Sequence, residues 1–323
     1  MKMKAIVAAR YGSPDVLELK DVEKPAPKDD EVLVKVQAAS VNPMDWHLLE
    51  GKPVIARPMM GGLLKPKNTR PGVDVAGKVE RVGLNVREFQ SGDEVFGSGR
   101  GGFAEYVCTS EDSLVLKPSN ISFEEAAAVP TAAFTALQGL RDKGHVQARQ
   151  RVLIDGASGG VGTFAVQIAK SYGAEVTGVC STRNLDMVRS IGADHVIDYT
   201  QENFTKKDQR YDLILATAGY HSIFDYRRAL SPNGTYVFIG SSRLMRSLFQ
   251  VALLGPLLSI TGSKKATSMI ANRNKKDLIF LKDLLEAGKI RPIIDRSYPL
   301  SEVPEALRYL QGGHARGKVA ITM

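Results

Sequence analysis

A glycine-rich turn between an apolar run and an apolar helical stretch constrains the fold of this chain more than any other feature. Residues 151–155 have the length and composition of a buried strand, and from Gly156 to Gly162 the sequence is Gly-Ala-Ser-Gly-Gly-Val-Gly. Such a turn brings backbone N–H groups and the positive end of the following helix close to an anion, and glycine is needed wherever a Cβ atom would collide with it. The turn therefore predicts binding of a dinucleotide through its pyrophosphate.

The turn departs from the strict G-x-G-x-x-G pattern, because Ala157 stands where the first glycine is expected. A glycine-rich turn that serves only packing is the alternative interpretation. The position of the turn between a strand and a helix, with a second strand at the expected distance, favours cofactor binding. The residues predicted to contact the cofactor here are Ser158, Gly159, Gly160, Val161 and Gly162.

The periodicity of apolar residues changes near Phe123. From Met3 to about Asn120, short alternating runs separated by Gly, Pro and Asp predict a mostly antiparallel β region. Beyond it, strands and helices alternate, which favours an α/β fold with a doubly wound parallel sheet. The predicted strands are 151–155, 175–180, 195–198, 212–216, 235–239 and 258–261, and the predicted helices are 161–172, 185–191 and 224–230.

The tail of the chain returns to a mixed pattern. It predicts a helix at 277–285, a strand at 290–297, a helix at 303–310 and a final strand at 318–321. Pairing of that last strand with the β region would make the β domain discontinuous in sequence.

The end of the second strand of the parallel sheet discriminates between the nicotinamide cofactors, since an Asp or Glu there bonds the adenine ribose 2′-hydroxyl of NADH. After Cys180 this chain has Ser181, Thr182 and Arg183, so no carboxylate repels a 2′-phosphate and a guanidinium is available to pair with it. Ser181 and Arg183 are therefore predicted to bind NADPH, with Tyr199 bordering the same pocket. A surface Arg183 without a ligand is the alternative.

Composition favours an ordinary globular protein in a reducing compartment. The net charge of +8 is spread over many segments, which is typical of a solvated basic surface rather than of a nucleic-acid or membrane-binding block. Cys108 and Cys180 lack disulfide or metal-site spacing, and the first residues have the pattern of a strand rather than of a signal. The apolar run at 249–260 is too short to cross a bilayer and predicts a buried element or a lipophilic lid. We expect a cytoplasmic protein with no nucleic-acid partner and no membrane span.

Further motifs lie in order along almost the whole chain. They are NPMD at 42–45, PGVDVAG at 71–77, SGDEVF at 91–96, AAAVP at 126–130 and GHARGK at 313–318. With the glycine-rich turn, they make the chain resemble the zinc-independent, quinone oxidoreductase branch of the medium-chain dehydrogenase/reductase superfamily. Within that branch it is similar to reticulon-interacting mitochondrial oxidoreductases and chloroplast-envelope quinone oxidoreductase homologues, through GASGGVGTF at 156–164, VIDY at 196–199 and AGKIRP at 287–292.

The resemblance implies a GroES-like β domain, residues 1–124 and 266–323, and a Rossmann NADPH-binding domain, residues 125–265, with cofactor and substrate in the cleft between them. It also implies that the segment containing His314 and Arg316 folds back toward NADPH. A homodimer is expected from the same resemblance.

The resemblance further predicts a protein without zinc. Catalytic zinc needs Cys, His and carboxylate ligands around one position. Asn42 stands where the zinc alcohol dehydrogenases have their first cysteine, Val73 stands where they have a histidine, and the four closely spaced cysteines of their structural site are absent. His47 matches their proton-relay histidine in position, but without the metal a structural histidine is the favoured interpretation.

The chemistry predicted without zinc is hydride transfer from NADPH to an acceptor that is already electrophilic, a quinone or an α,β-unsaturated carbonyl. Asn42 is predicted as a polar group near the nicotinamide or the substrate oxygen, with Asp45 in support or as the residue that fixes the turn. Two alternatives stay open. One is a reductase of enoyl thioesters or lipid alkenals, served by the apolar run at 249–260, and the other is an NADPH-binding interaction protein with little turnover.

Overall fold

A computed structural model describes residues 1–51, 62, 65–66, 69–240 and 263–323. Within them the strands are β1 (Lys2–Ala8), β2 (Leu17–Glu23), β3 (Glu31–Val41), β4 (Asp74–Val82), β5 (Glu94–Ser98), β6 (Tyr106–Ser110), β7 (Leu114–Leu116), β8 (Arg151–Asp155), β9 (Glu175–Cys180), β10 (His195–Asp198), β11 (Tyr211–Ala216), β12 (Leu230–Phe238), β13 (Lys265–Ser268), β14 (Ile294–Pro299) and β15 (Lys318–Thr322). The α-helices are α1 (Pro43–Glu50), α2 (Phe123–Ala127), α3 (Pro130–Gln138), α4 (Gly160–Ser171), α5 (Leu185–Ser190), α6 (Ile223–Ala229), α7 (Lys275–Glu286) and α8 (Val303–Gln311). None of these described helices is long and apolar enough to span a bilayer. The predicted strand at 258–261 and the apolar run at 249–260 lie outside the described residues.

The chain divides into two compact units. The β unit comprises Met1–Thr131, Arg273–Gly288 and Pro292–Met323, and the α/β unit comprises Ala132–Asn272 and Lys289–Arg291. The first change of unit lies after the predicted boundary at 124 because α2 packs against β3 and β4. The second lies after the predicted boundary at 266 because β13 pairs with β12 of the parallel sheet.

The β unit is built on a sheet whose described strands follow the order β14-β15-β3-β4-β5-β7, with β6 also paired to β3. Alternate residues of β3, including Val32, Val34 and Val36, are buried in one core cluster of this unit. The predicted pairing of the last strand with the β region is confirmed, since β15 runs antiparallel to β3 with Val319 opposite Val41.

The α/β unit is built on a sheet whose described strands follow the order β10-β9-β8-β11-β12-β13, with every neighbouring pair parallel. Numbered from β8, this is the order 3-2-1-4-5-6 of a doubly wound dinucleotide-binding sheet. The order reverses between β8 and β11, and ligands bind at the carboxyl ends of the strands at such a reversal. The predicted α/β fold class is confirmed.

Two strands of the α/β unit differ from the sequence predictions for identifiable reasons. β12 begins at Leu230 rather than at 235, because Leu230 pairs with Tyr211 ahead of a shift in register. β13, Lys265–Ser268, was not predicted, because its short polar sequence has no apolar alternation. Among the described residues its only strand partner is β12.

Candidate cofactor and active site

The glycine-rich turn lies where the order of the parallel sheet reverses. β8 ends at Asp155, the turn follows, and α4 begins at Gly160 with Gly159 as its N-cap. Gly159 makes no side-chain cap, so the first N–H groups of α4 are left without the partner that Ser or Asp would supply. Because these N–H groups carry the positive end of the helix, the turn has the form of an anion site.

The glycines of the turn have two different steric roles. A Cβ atom on Gly162 would lie 2.0 Å from the carbonyl oxygen of Gly156, so only glycine allows α4 to approach the turn this closely. A Cβ atom on Gly159 would meet only the Gly156 oxygen, at 3.5 Å, so the space beside Gly159 is open. Gly162 therefore serves the packing of the protein, whereas Gly159 leaves room for a phosphate group.

The end of β11 fixes the turn from the other side. The Thr217 hydroxyl donates to the carbonyl oxygens of Asp155 and Gly156, at 3.0 and 3.2 Å, and the Thr217 N–H donates to Asp155. Ala157, which replaces the first expected glycine, is fully buried and its N–H donates to the carbonyl of Val179 in β9. These bonds hold the turn in place without any ligand.

The end of β9 carries the residues predicted to select NADPH. Ser181 and Arg183 belong to the turn that links β9 to α5, where Arg183 is exposed and Ser181 is half-buried. Tyr199 follows β10 and is also exposed, with its ring 5.9 Å from that of Tyr220. The Ser181 oxygen accepts a hydrogen bond from the buried Asn184.

One carboxylate near this turn was missed by the sequence analysis. Asp198 ends β10 opposite Cys180 in β9. One of its oxygens accepts a 2.5 Å bond from the Thr182 hydroxyl, and the other accepts from the Thr200 N–H and hydroxyl. The Thr182 hydrogen bond, with those of Thr200, lowers the pKa of Asp198. The carboxylate is therefore ionised and already occupied by three donors.

These residues fit a dinucleotide with a 2′-phosphate. The turn offers backbone N–H groups and open space beside Gly159, and the end of β9 carries the Ser181 hydroxyl and the Arg183 guanidinium, whereas the Thr182 hydroxyl is already bonded to Asp198. Asn184 is 4% exposed, and its Oδ1 atom has no hydrogen-bond partner in the part of the chain that the structure describes. A buried polar atom left without a partner is unusual. It marks the turn between β9 and α5 as more than a structural connection.

In the β unit, Asn42 and Asp45 form the start of α1. Asn42 is the N-cap, and its N–H donates to the Asp45 carboxylate at 2.7 Å, as in a capping box. Both residues are 4% exposed. Asp45 is thus placed as the residue that fixes the turn, which is one of its two predicted roles.

The Asn42 side chain belongs to a buried polar network that the sequence analysis did not foresee. Its Nδ2 atom donates to Asp74 at 2.9 Å and to the Ser40 carbonyl at 3.4 Å, and its Oδ1 atom accepts from Lys318 at 2.6 Å. The Thr131 hydroxyl completes the network with a 2.7 Å bond to Asp74. Both hydrogens of the Asn42 amide are therefore used inside the β unit. The predicted place of Asn42 near the nicotinamide or the substrate oxygen stays a prediction.

Burial governs the charges of this network. It raises the pKa of Asp45 to about 7 and lowers the pKa of Lys318, whose amino group is held against the Val41 carbonyl and Asn42. Asp74 and Lys318 both lie in motifs that the sequence analysis singled out, at 71–77 and 313–318, but the side-chain partners were not evident because they are far apart in the chain.

The remaining predicted residues also lie in the β unit. His314 and Arg316 are exposed in the loop before β15, and the Arg316 N–H donates to Asp295 at 3.0 Å. His47 is half-buried in α1, its ring stacks at a tilt on that of Trp46, and burial lowers its pKa. An uncharged histidine packed on a tryptophan agrees with the structural interpretation of His47.

Comparisons with known proteins match both units. Residues 28–119 match the family model described as Alcohol dehydrogenase GroES-like domain, and residues 191–321 match the one described as Zinc-binding dehydrogenase. The second description names zinc, yet in the described part of the chain no group of three or more His, Cys, Asp and Glu side chains is placed to hold a metal ion.

Relatives of known name cover nearly the whole chain. The chloroplast envelope quinone oxidoreductase homolog of Arabidopsis thaliana is 34% identical over 94% of this chain and 93% of its own length. The NADPH-dependent alkenal/one oxidoreductase, chloroplastic, of the same plant is 34% identical over 99% of this chain and 79% of its own. The mitochondrial NAD(P)H oxidoreductase RTN4IP1 of Mus musculus is 34% identical over 99% of this chain and 89% of its own, which confirms the predicted likeness to the reticulon-interacting proteins.

A solved structure gives the same result for the fold. The quinone oxidoreductase from Coxiella burnetii is 30% identical, covers 100% of both chains and superposes with a TM-score of 0.86. An α/β unit with the dinucleotide-binding strand order, a GroES-like β unit and relatives along the full length all lead to one assignment. The chain belongs to the quinone oxidoreductase branch of the medium-chain dehydrogenase/reductase superfamily.

Proposed function

We propose that the protein reduces quinones or α,β-unsaturated carbonyls with NADPH as the hydride donor. The observation that carries the proposal is the pair of anion-binding positions in the α/β unit, one at the end of β8 and one at the end of β9. The names of relatives support the same substrate classes, since two of them specify quinone oxidoreductases and a third specifies an NADPH-dependent alkenal/one oxidoreductase.

The chain's own residues would bind and orient the cofactor. Backbone N–H groups at the start of α4 would hold the pyrophosphate, and Ser181 and Arg183 would hold the 2′-phosphate. When bound, the nicotinamide supplies the hydride. Asp198 is not placed to accept from an adenine ribose 2′-hydroxyl, because Thr182 and Thr200 already donate to its two oxygens.

The residues at the zinc-ligand positions of the alcohol dehydrogenases determine the kind of acceptor. Asn42 and Val73 stand at two of those positions, and neither an amide bonded to Asp74 and Lys318 nor a valine suits zinc. An acceptor that needs no metal to polarise it, such as a quinone or an enone, fits this environment. Within the α,β-unsaturated carbonyls, alkenals are favoured by the name of one relative, and bulkier lipid alkenals or enoyl thioesters are the second candidate.

The test is oxidation of NADPH, followed by its absorbance, with a panel of quinones, enones, 2-alkenals and an enoyl thioester. We expect oxidation that depends on the acceptor, is unchanged by a chelator, and is slower with NADH. Arg183→Ala is the matched variant. Loss of a paired guanidinium should raise the KM for NADPH about 10- to 100-fold and leave the KM for NADH unchanged. Tight NADPH binding without turnover on any acceptor would instead support the interaction-protein alternative.

We further propose that the protein acts in the cytoplasm as a homodimer. Burial raises the pKa of Cys108 and of Cys180 to about 11, so both thiols stay protonated at neutral pH, as suits unreactive cysteines in a reducing compartment. Light scattering on the purified protein measures the oligomeric state, and cell fractionation measures the location. A monomer, or enrichment in an organelle or membrane fraction, would contradict the respective part.

A further inference from the structure

Asn184 has an arrangement that its position in the chain does not explain. It ends the 3-10 turn Thr182–Asn184 and directly precedes α5, where an Asn side chain ordinarily accepts a hydrogen bond from the first turn of the helix. Asn184 makes no such cap. Its Oδ1 atom is buried without a hydrogen-bond partner among the described residues, an arrangement that destabilises a fold unless it serves another purpose.

The amide nitrogen of Asn184 instead joins the two predicted phosphate-binding positions. Nδ2 donates to the Ser158 hydroxyl oxygen at 3.1 Å and to the Ser181 hydroxyl oxygen at 3.2 Å. Ser158 belongs to the glycine-rich turn after β8, and Ser181 follows β9. Both amide hydrogens are thus used on these two serines.

This arrangement determines what the two serines offer to a ligand. A hydroxyl has one hydrogen to donate and two lone pairs that accept. Because each serine oxygen accepts from Asn184, its own hydrogen is left to donate, and neither hydroxyl donates to another described residue. Asn184 therefore leaves two hydrogen-bond donors at the positions where two phosphate groups of NADPH are expected.

We propose that Asn184 is a positioning residue for NADPH, which turns the Ser158 hydroxyl toward the pyrophosphate and the Ser181 hydroxyl toward the 2′-phosphate. The inference rests on the proposed use of NADPH. It adds a residue that contacts neither phosphate itself but orients the side chain that distinguishes NADPH from NADH. The pyrophosphate is common to both cofactors, whereas only NADPH carries the 2′-phosphate, so Asn184 contributes more to NADPH binding than to NADH binding.

The experiment is a titration of the full-length protein with NADPH and with NADH, followed by fluorescence or calorimetry, so that turnover is not needed. Asn184→Ala should weaken NADPH binding about tenfold and NADH binding by less. The ratio of the Kd for NADPH to the Kd for NADH should therefore rise. Asn184→Asp keeps the size of the side chain but accepts both serine hydrogens and adds a negative charge. It should weaken NADPH binding further while the chain stays folded.

Three controls separate positioning from a purely structural role. Ser181→Ala should change the same ratio, and adding Asn184→Ala to it should change the ratio little more, because the two residues act through one hydroxyl. Asn203→Ala removes a cap elsewhere in the α/β unit, where Asn203 accepts from Thr205, and should lower the Tm without moving the ratio. Equal losses of NADPH and NADH affinity in both Asn184 variants would overturn the inference. A wild-type protein that binds neither cofactor would overturn the proposed function, and this inference with it.

Discussion

Asp155 is a carboxylate held in the core of the α/β unit, and none of the described residues places a cation beside it. It is 2% exposed, and its side chain accepts a 2.5 Å hydrogen bond from Tyr226, whose ring stacks on Tyr236. The titratable groups that face it are Tyr220, Tyr226 and Tyr236. Burial raises the pKa of Asp155 to about 6, and the Tyr226 bond opposes that rise.

This pKa predicts how stability depends on pH. A folded-state pKa raised from 3.8 to about 6 means that the folded protein holds the proton more tightly than the unfolded chain. The stabilisation that this difference provides is fully present below pH 3.8 and is lost as the pH rises through about 6. In Asp155→Asn, which keeps the Tyr226 bond, this loss should be absent. The unfolding free energy of the variant minus that of the wild type should therefore rise by about 3 kcal/mol between acidic and neutral pH, measured by urea unfolding and circular dichroism.

Tyr226→Phe provides the second comparison. Because the Tyr226 hydrogen bond lowers the pKa of Asp155, its removal should extend the loss of stability to higher pH. Parallel pH profiles for wild type and Asp155→Asn would show that the carboxylate titrates alike in the folded and unfolded chains. The sequence placed Asp155 at the end of a strand, but its partner lies 71 residues away, and no local pattern reveals such a pair.

At the scale of the element, two glycines of the turn between β8 and α4 have different roles: Gly162 allows close packing, and Gly159 leaves room for the ligand. Gly162→Ala would place a Cβ atom 2.0 Å from the Gly156 oxygen, and backbone on both sides cannot give way. We expect a loss of stability of about 3 kcal/mol or more, because overpacking of rigid atoms costs that much. Thermal unfolding measures it.

Gly159→Ala is the matched variant within the same turn. Its backbone, φ −83° and ψ 174°, suits any residue, and the nearest atom to a Cβ lies at 3.5 Å. The Tm should therefore change little while the Kd for NADPH rises, since the methyl group occupies the space left for the pyrophosphate. An NADPH affinity equal to that of the wild type would show that the phosphate does not approach Gly159.

Elements with strong apolar periodicity were predictable, and those held by distant partners were not. β8 and β9, which are buried after their first residue, match the predicted strands because parallel strands covered on both faces are mostly apolar, and the short edge strand β10 matches as well. β14 begins at Ile294 rather than at 290, after Pro292, which has no N–H to pair. In the candidate site, the glycine-rich turn, Ser181 and Arg183 followed from sequence, whereas Asn184, Asp198 and the Lys318 network depend on contacts between separate segments.

At the scale of the whole molecule, the chain crosses between its two units and returns to the first to complete it. β15 contributes Val319, Ala320 and Ile321, all fully buried, and it lies between β14 and β3 in the sheet. Lys318 at its start also holds the Asn42 side chain. The β unit therefore depends on the last residues of the sequence, as the repeated change of pattern along the chain predicted.

Removal of residues 318–323 tests this dependence, and the single tryptophan reports on it. Trp46 packs against the core cluster of the β unit that contains Val319 and Ile321. Without β15, β3 loses a strand partner and the cluster opens to water, so the Trp46 emission should shift to the red as it does in the unfolded chain.

Removal of Met323 alone, which is 39% exposed, should leave the emission unchanged. Native emission in the longer truncation would mean that the β unit closes its core without its last strand. A red shift with much of the helical circular dichroism retained would show that the α/β unit, whose parallel sheet uses no residue beyond Arg291, folds independently of it.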